Sequence, residues 1–430
     1  MDKQITAILV GAGNRANTYA SVQFNFPEKL KVVGLVDPNP ERMKFMKERF
    51  NIPDENCFDY VDALCKREKF ADVVINGTMD QLHVDTAIPT LEKGYDLLLE
   101  KPFAVNEEEM NRLREAAKRN GSKVVICHVL RYTKFYKAVK NHILNGDLGD
   151  IISIEMNEHV NFHHMCVSYV RGKWRSEEVC FAPMLLAKSC HDIDLMMWMM
   201  KPTKPMSVAS FGSEFMFGPQ NKPEGAGNRC MVDCPLKDEC AYSAEKHYID
   251  IQRWPQYVWN DDPNLKNLPV EEKRRLLETT NPFGECAWNF DRGGNVDHQT
   301  LIINFENGAT GTFSMIGGAA KSERNIHIIG TKGELKGLFE SSKYVLRTLT
   351  PSKDYSGYTE TEYDVNVTGD MIGATGGHGG GDTGLVLDFL EYMNGHEPSV
   401  SCTTLEDSVV SHHTVFCANE SRKAGTIIKL

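Results

Sequence analysis

The sequence predicts two sheets of different kinds: an N-terminal doubly wound parallel α/β sheet, followed by an open, mainly antiparallel sheet with helices on one face. Two textures in the chain carry this expectation. Short apolar runs (ITAILV, KVVGLVD, ADVVINGT, YDLLLE, KVVICHV) alternate with helical stretches such as HVDTAIPTLEKG and NEEEMNRLREAAKRNG, the pattern of strand–helix–strand units. From IISIEMNEHV onward, long β-rich runs (TLIINFENGATGTFSMIG, NIHIIGTKGELKGL) are joined by Asn-Gly and Lys-Gly turns, the signature of antiparallel strands. With 430 residues the chain has room for several domains of roughly 100–200 residues each. The boundary is expected near residue 128, giving units 1–128 and 129–430, the second carrying an insertion at about 215–290.

Composition narrows the class. Hydrophobic residues make up 41% and charged residues 25%, and even LMMWMM falls short of the roughly 20 apolar residues a spanning helix requires, so no membrane partner is expected. Lys+Arg 48 against Asp+Glu 59 gives −11 without a long basic run, which argues against nucleic acid as a partner. The apolar stretch in MDKQITAILVGAG is too short for a secretory leader and runs into a glycine turn, so a cytoplasmic location is expected. Most of the 12 cysteines sit among apolar residues, as in VVICHV and TVFCANE, which suits buried thiols in a reducing compartment. Glycine and proline cluster at 217–228 and 376–381, which read as loops within the second unit.

Taken in order, ITAILV stops at Gly11-Ala12-Gly13-Asn14-Arg15-Ala16, after which NTYASVQFNF can start a helix. In this G-x-G-x-x-G/A arrangement Gly11 permits a tight turn, Gly13 lets a pyrophosphate approach the backbone, and the small Ala16 lets helix and strand pack closely. Such turns also occur in α/β proteins without nucleotide. The next strand ends in Asp37, where a carboxylate would accept hydrogen bonds from an adenosine ribose and favour NAD over NADP. Asp37 could instead cap the following helix, and Arg42 nearby could accommodate a 2′-phosphate. YDLLLE leads into Glu100-Lys101-Pro102, which places Lys101 at a carboxyl end of the parallel sheet, where ligands bind.

An ordered set of motifs now covers nearly the whole chain: the glycine turn, Thr78 and His83 in NGTMDQLHVDTAI, the EKP, Arg131-Tyr132 in HVLRYTKFY, NGDLGDIISIE, and His191-Asp192-Ile193-Asp194. On these the chain resembles the glucose-fructose oxidoreductase/inositol dehydrogenase/rhizopine catabolism (Gfo/Idh/MocA) family, in a glycoside-acting branch with a cysteine insertion. The resemblance implies a Rossmann NAD-binding domain and a substrate domain whose open sheet face packs on a second subunit, hence a homo-oligomer, a dimer or tetramer. It also implies a cis proline that sets Lys101 beside the nicotinamide and the substrate hydroxyl, with Gly11, Gly13, Asn14, Arg15, Asp37, Arg42, Thr78, His83 and Glu100 around the cofactor.

In PMLLAKSCHDIDLMMWMM, His191 and Asp194 are three apart and share a helical face, so imidazole and carboxylate can approach one substrate. A histidine, with an unperturbed pKa of about 6.5, can accept a hydroxyl proton as hydride leaves. By resemblance this histidine meets the sugar hydroxyl. Family dehydrogenases usually carry an aspartate four residues earlier, where this chain has Ala187, followed by Lys188. Lys188 either points inward as a substitute acid/base or meets solvent.

HVNFHHMCVSYVRGKWRSEEVC is rich in His159, His163, His164, Tyr169, Arg171, Trp174 and Arg175, the mixture of aromatic faces and donors that carbohydrate recognition uses. Arg131, His163, Tyr169, Trp174 and Asp194 are the candidate substrate contacts, with His378 in the glycine-rich loop before Asp382, which is placed to cap the following helix. The histidines could alternatively ligate a metal. Cys230, Cys234 and Cys240 in RCMVDCPLKDECAYS, with Cys286 in GECAW as a fourth, suggest a structural zinc site, an iron–sulfur cluster or free thiols. The expected function is NAD(H)-dependent oxidation of a secondary hydroxyl, at ring carbon three, of a small-molecule sugar or glycoside. The alternatives are a redox-neutral, NAD-assisted glycosidase and a non-catalytic NAD and sugar sensor.

Overall fold

The structure is a computed structural model that describes residues 2–259, 267–351, 355–365 and 380–430. His378 lies outside the described residues.

The first sheet contains β1 (Ile5–Val10), β2 (Leu30–Val36), β3 (Cys57–Phe58), β4 (Val73–Asn76), β5 (Asp96–Leu99) and β6 (Val124–Ile126) in the order β3-β2-β1-β4-β5-β6, all parallel. Its strands are apolar on both faces, because helices cover both. On β1, Ala7 and Leu9 enter one core while Ile8 and Val10 enter another, as the two-residue period of a strand requires. The order reverses between β1 and β4, so the crevice opens beyond the ends of these two strands, where Gly11 and Gly77 follow. One core is closed from far along the chain by Leu385, Val386, Phe389 and Leu390 of the helix Gly381–Met393.

The second sheet has nine strands: β7 (Ile151–Asn161), β8 (Pro205–Ser213), β9 (His298–Phe305), β10 (Thr310–Ala319), β11 (Glu323–Gly330), β12 (Gly333–Leu338), β13 (Lys343–Leu349), β14 (Tyr358–Asp364) and β15 (Ile428–Lys429). Their order is β14-β13-β12-β11-β7-β10-β9-β8-β15, antiparallel except for the β7–β10 pair. Helices Met184–Met200 and Leu405–Ala424 pack on one face over a single large core. Met184–Met200 is buried at every position except Lys188, so it is wedged between sheet and neighbours rather than lying on the surface. On the other face Phe211, Ile302 and Ile316 remain exposed. Among the described residues no helix is long and apolar enough to cross a membrane.

Candidate active site

The glycine turn is shaped by crowding. Gly11 has φ +88, and a Cβ there would stand 2.9 Å from the Gly77 carbonyl oxygen, so no other residue fits. Gly13 is the N-cap of the helix Asn14–Ala20, and a Cβ on Gly77 would meet that of Ala16 at 3.0 Å. Asp37 ends β2 and accepts hydrogen bonds from the Ala12 N–H (2.7 Å) and the Asn39 N–H (2.8 Å). An ionised carboxylate offers about four acceptor sites, so capacity remains for ribose hydroxyls. Arg42 Nε lies 4.0 Å from the same carboxylate, which ties Arg42 to Asp37. A turn built on Gly11 and Gly13 with a carboxylate beside it fits a dinucleotide.

Other residues expected at the cofactor are bonded to one another around the glycine turn. Arg15 donates to Glu100 (2.8 Å) and is also bonded to Asp382 and Tyr19, and Glu100 accepts the Lys101 N–H at 2.7 Å. Asp382 therefore anchors this ion network; the helix Gly381–Met393 has Gly380 as N-cap and no side-chain cap. His83 is buried, with one ring nitrogen 2.7 Å from the Pro102 carbonyl and the other 3.1 Å from that of Thr78. It clamps two turns together. The Thr78 hydroxyl donates to Asn76 at 2.9 Å, which fixes its turn from within.

Lys101 emerges from this network after a cis Lys101–Pro102 peptide, and its Nζ reaches the Ala187 carbonyl at 3.3 Å. Burial pulls its ammonium down, but Cys190, Glu100 and Asp80 outweigh that and raise it above the ordinary lysine value. Cys190 is itself a thiol pushed up to about 12 by burial, so the carboxylates of Glu100 and Asp80 supply the charge. Lys101 thus carries its proton at neutral pH. One turn beyond Ala187 stands His191, with the ring of His128 edge-on at 5.5 Å and that of His412 5.7 Å from His128. Burial holds both rear imidazoles well below the ordinary histidine value, and they are neutral.

Asp194 does not join His191 at the substrate. It is fully buried in a two-pronged pair with Arg131 (2.6 and 2.7 Å), which uses both residues that were expected to contact sugar. Lys188 turns away from solvent and pairs with Glu158 at 2.6 Å, in a cluster that Arg324 and Asp192 complete. Arg324 and Lys188 together hold the Glu158 carboxyl low against its burial.

Five aromatic rings close a circuit: His164–Trp254 (4.7 Å), Trp254–Tyr257 (5.5 Å), Tyr257–Trp174 (6.5 Å), Trp174–Tyr169 (6.2 Å) and Tyr169–His164 (5.7 Å). Trp174 Nε1 donates to Asp80 at 2.9 Å, which fastens the circuit beside Lys101. His163 stands at its edge, its ring 5.4 Å from Trp254 and buried against His247 (4.7 Å), while His164 lies within the circuit. Arg171 is likewise buried, on the side of Cys230, and Arg175 lies over Phe290. Cys230, Cys234, Cys240 and Cys286 line one cavity, yet no three of their sulfurs lie within 4.8 Å of one another, wider than the expected zinc takes. Sequence reasoning missed Asp80, His128, His412, Trp254 and Tyr257. RWPQYVW is a readable aromatic cluster, whereas His128 and His412 sit in apolar runs with no distinguishing signal.

The fold joins a parallel sheet of the nucleotide-binding kind to a second, mainly antiparallel sheet. Residues 5–128 match the Gfo/Idh/MocA oxidoreductase family's NAD-binding Rossmann fold and residues 140–430 its C-terminal alpha/beta domain; the chain belongs to this family. It is 26% identical to YteT of Bacillus subtilis (strain 168) over 378 residues, 85% of this chain and 83% of that protein. Over 150 residues, 35% of this chain and 41% of the relative, it is 26% identical to glucose-6-phosphate 3-dehydrogenase of the same organism. The WlbA dehydrogenase of Bordetella pertussis, solved with NADH and UDP-GlcNAcA, shares the fold with a TM-score of 0.67 at 16% identity, over 100% of this chain and 99% of that one.

Proposed function

We propose that this chain is an NAD(H)-dependent oxidoreductase that oxidises a secondary hydroxyl, at ring carbon three, of a sugar or glycoside to give a 3-keto sugar. The observation that carries the reading is the meeting of Lys101 with the helical turn before His191, beside a closed circuit of aromatic rings. Aromatic faces stack on the apolar C–H face of a sugar ring while donors fix its hydroxyls. When bound, the nicotinamide accepts the hydride. Lys101, held protonated by Glu100 and Asp80, donates a hydrogen bond to the reacting oxygen and stabilises negative charge there. His191 accepts the hydroxyl proton. Arg131 and Asp194 tie the helix Met184–Met200 to the turn that follows β6, which fixes the helix bearing His191. A relative named for 3-dehydrogenation of a hexose phosphate supports the choice of carbon. The exposed sheet face bearing Phe211, Ile302 and Ile316 supports assembly as a homo-oligomer.

The test incubates the purified chain with NAD and a panel of free sugars and glycosides, following nicotinamide absorbance, keto-sugar and aglycone together. Keto product with matching NADH is the expected result. Aglycone release without net NADH would make it a redox-neutral glycosidase, since a 3-ketone acidifies the neighbouring C–H. Binding without turnover across the panel would make it a sensor.

A further inference from the structure

The insertion folds around a cavity of about 290 Å³ on which Cys230, Cys234, Cys240 and Cys286 all open. A two-stranded bridge between Arg229 and Glu285 brings the ends together: the Cys230 N–H donates to Gly284 and the Cys286 N–H to Asn228, each at 2.9 Å. Three of the sulfurs receive donors, Cys230 from Arg171 Nη2 (3.3 Å), Cys240 from the Tyr242 N–H (3.3 Å) and Cys286 from the Trp288 backbone. Hydrogen bonds to sulfur are among the means by which a protein sets the potential of an iron–sulfur cluster.

Arg171 gives a second, independent pointer. It is 1% exposed, and its other hydrogen bonds go to neutral groups, the Glu285 carbonyl (2.9 Å) and the Tyr248 hydroxyl (3.4 Å). Among the described residues no carboxylate pairs with it, although a guanidinium is permanently charged and costly to bury alone. The cavity is where the missing anion belongs. Four thiolates on one zinc ion, at about 2.3 Å each, would stand about 3.8 Å apart. Among the described residues the only group of three or more ligating atoms within 4.8 Å of one another is Glu107, His413 and Cys417, none of which lines this cavity. The four sulfurs share this cavity without three of them meeting within 4.8 Å.

We propose that Cys230, Cys234, Cys240 and Cys286 ligate a four-iron, four-sulfide cluster whose negative charge is met by Arg171. The cluster staples the insertion that carries Trp254 and Tyr257 to the segment that carries Tyr169 and Trp174, and it takes no part in turnover. The test purifies the full chain without oxygen and reconstitutes it with ferric iron, sulfide and excess thiol, which reduces half of the iron, so that the cluster carries two ferric and two ferrous ions. The expected result is about four irons and four acid-labile sulfides per chain, with a broad visible absorption that dithionite bleaches. Cys234→Ser and Cys286→Ser are expected to lose most of the iron, and Cys57→Ser, outside the cavity, to keep it. Because the wild-type stoichiometry does not depend on the variants folding, it decides the matter. One zinc per chain without sulfide overturns the proposal, as does a chain that takes up no iron while all four thiols titrate freely.

Discussion

Lys101 Nζ lies 3.3 Å from the main-chain carbonyl of Ala187, one helical turn before His191. At this position, where related dehydrogenases usually carry an aspartate, the chain offers its ammonium a neutral oxygen in place of a carboxylate. In the proposed reaction the proton chemistry then falls to Lys101 and His191. Lys101→Ala and His191→Ala should each lower kcat by about 10²- to 10⁴-fold, the usual worth of a positioned acid or base, without rescue by saturating cofactor. NAD affinity, measured by titration, should stay nearly intact. Near-wild-type turnover in His191→Ala would overturn the site.

Lys188 has a different expectation. Its pair with Glu158 is buried, and removing one partner of such a pair costs about 3–5 kcal/mol, because the other charge is left exposed to a low dielectric. Arg324 remains on Glu158 and softens the loss. Lys188→Met should therefore lower the urea midpoint clearly, while the folded fraction keeps most of its turnover on a glycoside. Unchanged stability with lost turnover would return Lys188 to the chemistry.

NAD should be preferred over NADP, since a 2′-phosphate would approach the Asp37 carboxylate. Asp37→Ala should narrow that preference and also weaken NAD itself, because the Ala12 N–H loses its 2.7 Å acceptor and the glycine turn loosens. Cofactor titrations at one ionic strength check both effects. Equal affinity of the wild-type protein for the two nucleotides would refute the first.

Acid should destabilise the fold through its buried imidazoles. Burial, with His247, Arg253 and Arg171, pushes His163 down to about 3, and His128 and His412 are also held low. Below the ordinary value of about 6.5 the unfolded chain binds protons that the folded chain refuses. Stability from these groups is therefore complete above about pH 6.5 and falls toward pH 3, by up to about 1.4 kcal/mol per unit for each histidine. Tm should drop between pH 7 and 5 in wild type and less steeply in His163→Gln. Parallel pH profiles for the two proteins would show that His163 is not the group responsible.

By itself the sequence determined both sheets, the glycine turn, Asp37, Lys101 and the helix bearing His191. These rest on signals carried within a few residues: strand period, a glycine whose φ of +88 excludes a side chain, and a carboxylate at a strand end. It also supplied four cysteines without stating that a backbone bridge between Arg229 and Glu285 brings Cys230 and Cys286 to one cavity. Tertiary structure decided which neighbour faces the site. His163 and His164 are adjacent, and about 100° of helix rotation separates one ring in the core from the other in the aromatic circuit. That phase is set by what packs on the helix, not by the residues themselves. Arg15 with Asp382, Arg131 with Asp194 and Trp174 with Asp80 likewise join segments far apart in the chain. An ion pair or hydrogen bond of that kind forms only after both elements have docked, so no local pattern announces it.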